Sequence, residues 1–252
     1  MTALFQVEGL TKSFGGLRVA RDIALAMAAG DRIALIGPNG AGKTTFVNLV
    51  TGALRADAGT VKLAGHDISR DSMVARVRRG LVRTFQITRL FLDVSVHEHV
   101  ALAILQRERR TGNMLGNIGR MADVSQEAGE LLAALNLTAV AHRLVREIAY
   151  GQQRLLEIVL ALALKPKVLL LDEPAAGVAK DDSPRIFEAL GRLPADLAVL
   201  MIDHDMDLVF RFASRIIVMA NGAVIFEGAP AAVAADPKVR EAYLGSYAQG
   251  RQ

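Results

Sequence analysis

Apolar and polar positions alternate with the two-residue period of a strand over Phe5–Leu10 and Leu17–Met27, and a further strand is expected around Thr60–Ala64. Arg32–Ile36 differs, because Ile33, Ala34, Leu35 and Ile36 are apolar in succession. Such a run suits a strand covered on both faces, as in a parallel sheet, with a ligand expected at its carboxyl end. From Val94 to Leu164 the period lengthens to that of a helix, with Leu131, Leu132, Leu135 and Leu137 on one apolar face and Leu155, Ile158, Val159 and Leu162 on another. Within that stretch Arg107–Gly119 has turn signals and no period, which predicts a surface loop. Strands return at Val168–Leu171, Ala198–Ile202 and Ile216–Met219, with a helix over Asp182–Leu193. Asn221-Gly222 accepts positive φ and predicts a hairpin joining Arg215–Ala220 to Ala223–Glu227, and a helix from about Pro230 to Leu244 closes the chain. One α/β domain over residues 1–252, built from 1–86 and 165–252 with a helical subdomain inserted over 87–164, accounts for the alternation.

Composition narrows the chemistry. The 252 residues suffice for a sizeable core, and the absence of cysteine excludes a disulfide scaffold, a cysteine-ligated zinc and a thiol nucleophile. The longest apolar runs, such as Ile23–Ala29 and Ile158–Leu164, fall well short of the roughly 18 residues of a membrane span, and Met1–Leu10 lacks the pattern of a signal peptide. The net charge of +4 is mild, and the densest basic cluster, Arg76, Arg78, Arg79 and Arg83, has no aromatic residues interleaved, so no nucleic-acid partner is expected. His97-Glu98-His99 invites a metal reading, but residues two apart do not share a helix face, and a packed or solvated pair is expected.

The strongest motif is Gly37-Pro38-Asn39-Gly40-Ala41-Gly42-Lys43-Thr44-Thr45, which fits G-x-x-x-x-G-K-[ST] between a buried-strand pattern and an apolar helix. Glycines let backbone N–H groups wrap a polyphosphate at the positive end of the helix, Lys43 adds a cation, and Thr44 offers a hydroxyl to magnesium. Downstream, Val168–Leu171 followed by Asp172-Glu173-Pro174 puts two carboxylates at the end of a buried strand. Asp172 can complete the magnesium shell, and Glu173 can orient or deprotonate an attacking water. Kinases and GTPases share these two elements.

Four further segments make the distinction. Ile148–Arg154 resembles the signature motif of the ATP-binding-cassette (ABC) superfamily, Gln86 in Arg83-Thr84-Phe85-Gln86 its Q-loop, His204 in Ile202–Met206 its switch histidine, and Phe14 in Lys12–Gly16 the aromatic that stacks on adenine. They follow the order of that superfamily across nearly the whole chain. The resemblance implies a P-loop NTPase fold of the ABC type, with a RecA-like core, an N-terminal antiparallel β subdomain and an inserted α-helical subdomain. It implies ATP and Mg²⁺ as ligands, Lys43, Gln86, Glu173 and His204 as catalytic residues, and Thr44, Gln86 and Asp172 at the metal. Phe14, residues 37–45 and, from a second copy, Ala149, Tyr150, Gly151 and Gln152 would touch nucleotide.

Arg83–Phe91, Tyr150–Ile158, Glu173–Gly177 and the ending from Glu227-Gly228 to Ala242–Gly245 further resemble the ATP-binding subunit of importers of the branched-chain amino acid type, whose relatives handle other small polar solutes. That resemblance implies a second ATP-binding subunit, separate transmembrane permease subunits, indirectly a solute-binding protein, and a peripheral place on the cytoplasmic face of the inner membrane. Cassettes of DNA repair carry long coiled-coil insertions and those of translation usually come in tandem; neither feature is present. Two departures matter: Ala149 replaces the signature serine, and Val178-Ala179-Lys180 replaces the usual leucine, asparagine and proline. They leave open a low-turnover regulatory subunit of a heteromeric complex as the alternative to an active ATPase.

Overall fold

The computed structural model describes residues 3–84, 90–110, 121–179 and 183–242. The elements run β1 (Phe5–Phe14), β2 (Leu17–Met27), β3 (Arg32–Ile36), α1 (Lys43–Thr51), β4 (Ala58–Leu63), β5 (His66–Asp67), α2 (Met73–Arg79), β6 (Leu81–Arg83), α3 (Val96–Arg107) and α4 (Ala122–Ala134). There follow α5 (Tyr150–Ala163), β7 (Val168–Asp172), α6 (Ser183–Gly191), β8 (Ala198–Ile202), α7 (Met206–Phe212), β9 (Arg215–Ala220), β10 (Ala223–Gly228) and α8 (Pro230–Ala235). An antiparallel sheet has the order β2-β1-β4-β5, and a second sheet the order β10-β9-β3-β8-β7-β6. In the second, β9, β3, β8, β7 and β6 are parallel and β10 pairs antiparallel to β9 through the Asn221-Gly222 turn.

The uninterrupted apolar runs follow from burial on both faces of this sheet. Ala34, Ile36, Leu169, Leu171, Val199 and Met201 point into a core shared with α3, α4, α5 and α6. Their neighbours Ile33, Leu35, Val168, Leu170, Ala198 and Leu200 point into a second core with α1 and the antiparallel sheet. A strand with apolar partners on both sides has no position left for polar alternation.

Several bounds differ from expectation for local reasons. β1 runs four residues past Leu10, through a register shift next to Gly9 at φ 63°, and so carries Phe14 at its end. α4 stops at Ala134 because Asn136 turns left-handed at φ 59°; Leu135 and Leu137 lie beyond the helix but are buried with Leu132. The C-terminal helix is two segments. Asp236 precedes Pro237, which disfavours helical backbone, and its carboxylate accepts from the N–H groups of Lys238 and Val239 to start a second helical segment at 237. α2, β6 and α7, of seven, three and seven residues, are too short to leave a clear period. Of the expected loop over Arg107–Gly119, residues 111–119 lie outside the described residues. His97 hydrogen-bonds Ser125, His99 is buried beside Phe91, and Glu98 caps α3 with Ser95, so the His-Glu-His sequence is spent on packing and capping.

The helices between β6 and β7 share an apolar core and are also tied by ion pairs. Arg107 donates to both carboxylate oxygens of Glu127 at 2.7 and 2.8 Å and to the carbonyl of Ala163 at 2.8 Å, tying the ends of α3 and α5 to α4. The Arg107 hydrogen bonds, with Lys165 adding to them, hold the Glu127 carboxyl down at about 2. A depressed carboxyl stabilises the fold above its ordinary range near 4 and loses that contribution as pH falls toward 2. Glu127→Gln is therefore expected to lower stability by about 1 kcal/mol at pH 7. In thermal denaturation the gap to the parent chain should close between pH 5 and pH 2; a gap independent of pH would contradict the pairing.

Candidate active site

β3 emerges between β8 and β9 in the middle of the sheet and ends at Ile36. The next residue has no room for a side chain: a Cβ on Gly37 would lie 2.2 Å from the carbonyl oxygen of Met219. Asn39 and Gly40 form the exposed crest, and Gly42, at φ 98°, is the N-cap of α1. No side chain caps that helix and its first turn contains no acid, so its leading N–H groups and the positive end of its dipole remain for an anion. The loop is buttressed from beneath. Gly222 N–H donates to Ala41 O at 3.0 Å, and Arg21 N–H donates to Gly222 O at 2.8 Å. The hairpin turn and β2 thus hold the cradle's shape.

Lys43 arches over the loop and donates to the carbonyls of Gly37 and Pro38 at 2.6 and 3.1 Å. Burial pulls its pKa down, against the pull of Glu173 and Asp172, which places both acids within electrostatic reach. Thr44 is exposed on the first turn of α1, and Thr45 is half-buried behind it. Phe14 is 53% exposed at the end of β1 with the Lys12 ammonium 5.6 Å from its ring, leaving a face for another flat group. Its hairpin neighbour Val19 presents a carbonyl 2.8 Å from where a Cβ on Gly42 would sit, so this hairpin borders the cradle.

The acids stand at the carboxyl ends of the neighbouring strands. Asp172 ends β7, and Arg83 bridges from it at 2.6 Å to Asn48 of α1 at 2.8 Å. Glu173 follows at φ 47° with its N–H on Ile202 O at 2.8 Å. His204, after β8, directs Nδ1 toward Glu173 Oε1 at 3.4 Å and Asp203 Oδ1 at 3.7 Å. This face of the ring is turned to the carboxylates, which leaves Nε2 for water or ligand. Asp203 is buried and accepts from the N–H groups of His204 and Asp205 at 2.7 and 3.0 Å; burial raises its pKa, and Oδ2 has no partner among the described residues.

The segment 149–152 lies elsewhere. Ala149 is the N-cap of α5, Gln152 Oε1 accepts from its N–H at 3.0 Å, and Tyr150 is exposed. Gly151 and Gln152 sit half-buried in the first turn. Among the described residues no hydrogen bond joins this segment to 37–45. Gln86 and Lys180 lie outside the described residues. Sequence reasoning gave no role to Arg83, Asn48 or Asp203; the signal for Asp203 was an acid placed directly between an apolar strand and the histidine.

The arrangement is an uncapped helix N-terminus behind a glycine-rich loop, with one lysine, two carboxylates within its electrostatic reach, and a carboxylate–histidine pair. Residues 20–176 match the family described as ABC transporter, and residues 223–249 match a branched-chain amino acid ATP-binding cassette transporter family. The chain belongs to the ABC transporter family. It is 35% identical over 251 residues to the high-affinity branched-chain amino acid transport ATP-binding protein BraF of Pseudomonas aeruginosa, covering 96% of this chain and 98% of that protein. It is 34% identical over 250 residues to LivG of Escherichia coli, with the same coverage. A nucleotide-free ATP-binding cassette from an ABC transporter superimposes with TM-score 0.83 at 31% identity, covering 96% of this chain and 99% of that one. The ADP conformation of MJ1267, an ATP-binding cassette of an ABC transporter, gives TM-score 0.84 at 31% identity, covering 97% of this chain and 100% of that one. The chain is thus an ABC transporter ATP-binding subunit, and the ends of β3, β7 and β8 bring its sequence-predicted residues Lys43, Asp172, Glu173 and His204 together.

Ala149 has N-cap backbone geometry, φ −62° and ψ 152°, and half of a capping box already in place. Ala149→Ser is expected to complete the box and raise stability by about 1 kcal/mol in thermal or urea unfolding. Unchanged or lowered stability would contradict this reading of α5.

Proposed function

We propose that the chain hydrolyses ATP as one of two cassettes that close on two nucleotides, and that closure drives import of a branched-chain amino acid or a related small polar solute through separate transmembrane subunits. The observation that carries the reading is the convergence of Lys43, Asp172, Glu173 and His204 on the cradle formed by 37–45. The loop amides and Lys43 would hold the β- and γ-phosphates, and Phe14 would stack on the adenine. Magnesium suits the donors present, since the Thr44 hydroxyl and Asp172 carboxylate are hard oxygen ligands, with Gln86 as a third. When bound, the metal would neutralise charge on the phosphate oxygens. Glu173 would orient and deprotonate water, and His204, steered by Glu173 and Asp203, would engage the γ-phosphate side.

The signature segment 149–152 would serve the second copy's nucleotide, a role favoured by its position at an exposed helix N-terminus and by the absence of any hydrogen bond to its own loop among the described residues. Exposed Met73 and Val74 line, with Val77, Val82 and Leu164, a groove of about 600 Å³, which suits apolar segments of a permease. Among the described residues no helix is long and apolar enough to cross a membrane, so attachment at the cytoplasmic face would come through those partners. The names of BraF and LivG and the match over 223–249 support the solute class. Ala149 favours one second reading, a low-turnover regulatory cassette beside a more complete partner, because it removes a hydroxyl donor to the opposed nucleotide.

Steady-state hydrolysis of the purified chain beside Glu173→Gln separates the two. A loss of about 10²- to 10⁴-fold in the variant is expected, with ATP-dependent dimers in sedimentation. Equal background rates in both would support the regulatory reading, and monomers alone would contradict the closed pair. Deleting the chain should abolish uptake of labelled leucine, isoleucine or valine; uptake of all three at the parent rate would move the solute to another small polar class.

A further inference from the structure

Glu173 is a non-glycine residue held at φ 47°, a left-handed conformation that costs of order 1–3 kcal/mol and persists only where neighbours enforce it. Two of its restraints are backbone hydrogen bonds, its N–H to Ile202 O at 2.8 Å and Ala176 N–H to its own carbonyl at 3.0 Å. The third comes from a side chain on another element. Arg154 Nη2 donates to the Glu173 carbonyl at 2.8 Å, while Nη1 pairs with Glu157 at 2.7 Å. Arg154 is 3% exposed, so its guanidinium is fixed by what it touches. One turn earlier on α5, Tyr150 donates from its hydroxyl to Ala176 O at 3.4 Å, and its ring lies 3.2 Å from where a Cβ on Gly177 would stand. The first turns of α5 therefore grip the backbone of 173–177 at several points, and the grip on Glu173 itself is Arg154.

We propose that Arg154 is a positioning residue for hydrolysis: by holding the Glu173 carbonyl it keeps that residue's backbone left-handed and its carboxylate aimed at the water. The helix that opens with 149–152 and the carboxylate then move as one unit. Lysine cannot replace it. A single ammonium lacks the planar fork that serves Glu157 and the Glu173 carbonyl together. The proposal rests on Glu173 being the base, as argued under the proposed function, and concerns what aims it.

The test is a double-mutant cycle on the full chain with Arg154→Lys, Glu173→Gln and the two combined. Arg154→Lys is expected to lower kcat about ten- to a hundredfold while KM for ATP changes less than about twofold, because nothing in the cradle is touched. In the Glu173→Gln background Arg154→Lys should add no further loss in single-turnover hydrolysis, and ATP-dependent dimers should still form, since an aiming role vanishes once the aimed group is gone. Multiplicative losses, a kcat unchanged by Arg154→Lys, or a KM rising in step with the fall in kcat would overturn the proposal. Failure of the base assignment looks different: Glu173→Gln would then retain the parent rate. Should Arg154→Lys not fold, Arg154→Gln with Glu157→Gln removes both buried charges together and is read against the same cycle.

Discussion

Burial on both faces of the central sheet is the constraint from which the site follows. With cores above and below β3, β7 and β8, the positions between the ends of these strands are all apolar, and all five residues of β7 and of β8 are buried. The first positions where these strands can turn polar are their carboxyl ends. Because the three are parallel neighbours, those ends lie side by side. Lys43, Asp172, Glu173 and His204 are thus gathered by packing, with Lys43 more than a hundred residues from the other three in the chain.

Holding such a cluster costs electrostatic energy, and the surroundings show how it is offset. Arg83 neutralises Asp172 and ties it to α1, Arg154 takes the Glu173 carbonyl, and Asp203 spends one oxygen on two amides of the His204 turn. Lys43 meanwhile hydrogen-bonds the loop's own carbonyls. Each acid is held in place by protein groups before a nucleotide arrives, the preorganisation that transition-state stabilisation requires.

The parts legible in the sequence are those with a local cause. The glycines of 37–42, the apolar run into Asp172-Glu173 and the Asn221-Gly222 turn each carry their physical reason in a few adjacent residues. That this turn also props the cradle, through Gly222 N–H on Ala41 O, depends on two segments some 180 residues apart, and no local pattern records it. Arg154 was read as the last residue of a motif, although its contact runs to a backbone carbonyl, which any residue type supplies. The helix expected from about Pro230 to Leu244 is interrupted at Asp236-Pro237, a capping acid before a residue that cannot continue a helix. Short elements such as β6 leave three residues of pattern, too few to tell from chance, though its last residue, Arg83, meets the proposed metal carboxylate.

The account turns on whether the cradle around Lys43 grips a nucleoside triphosphate. Titration calorimetry of the folded chain with ATP and magnesium, beside the Lys43→Ala variant, measures this directly. Saturable heat in the parent chain that is lost or greatly weakened in the variant is the predicted result; no heat from a parent chain shown to be folded would contradict the account.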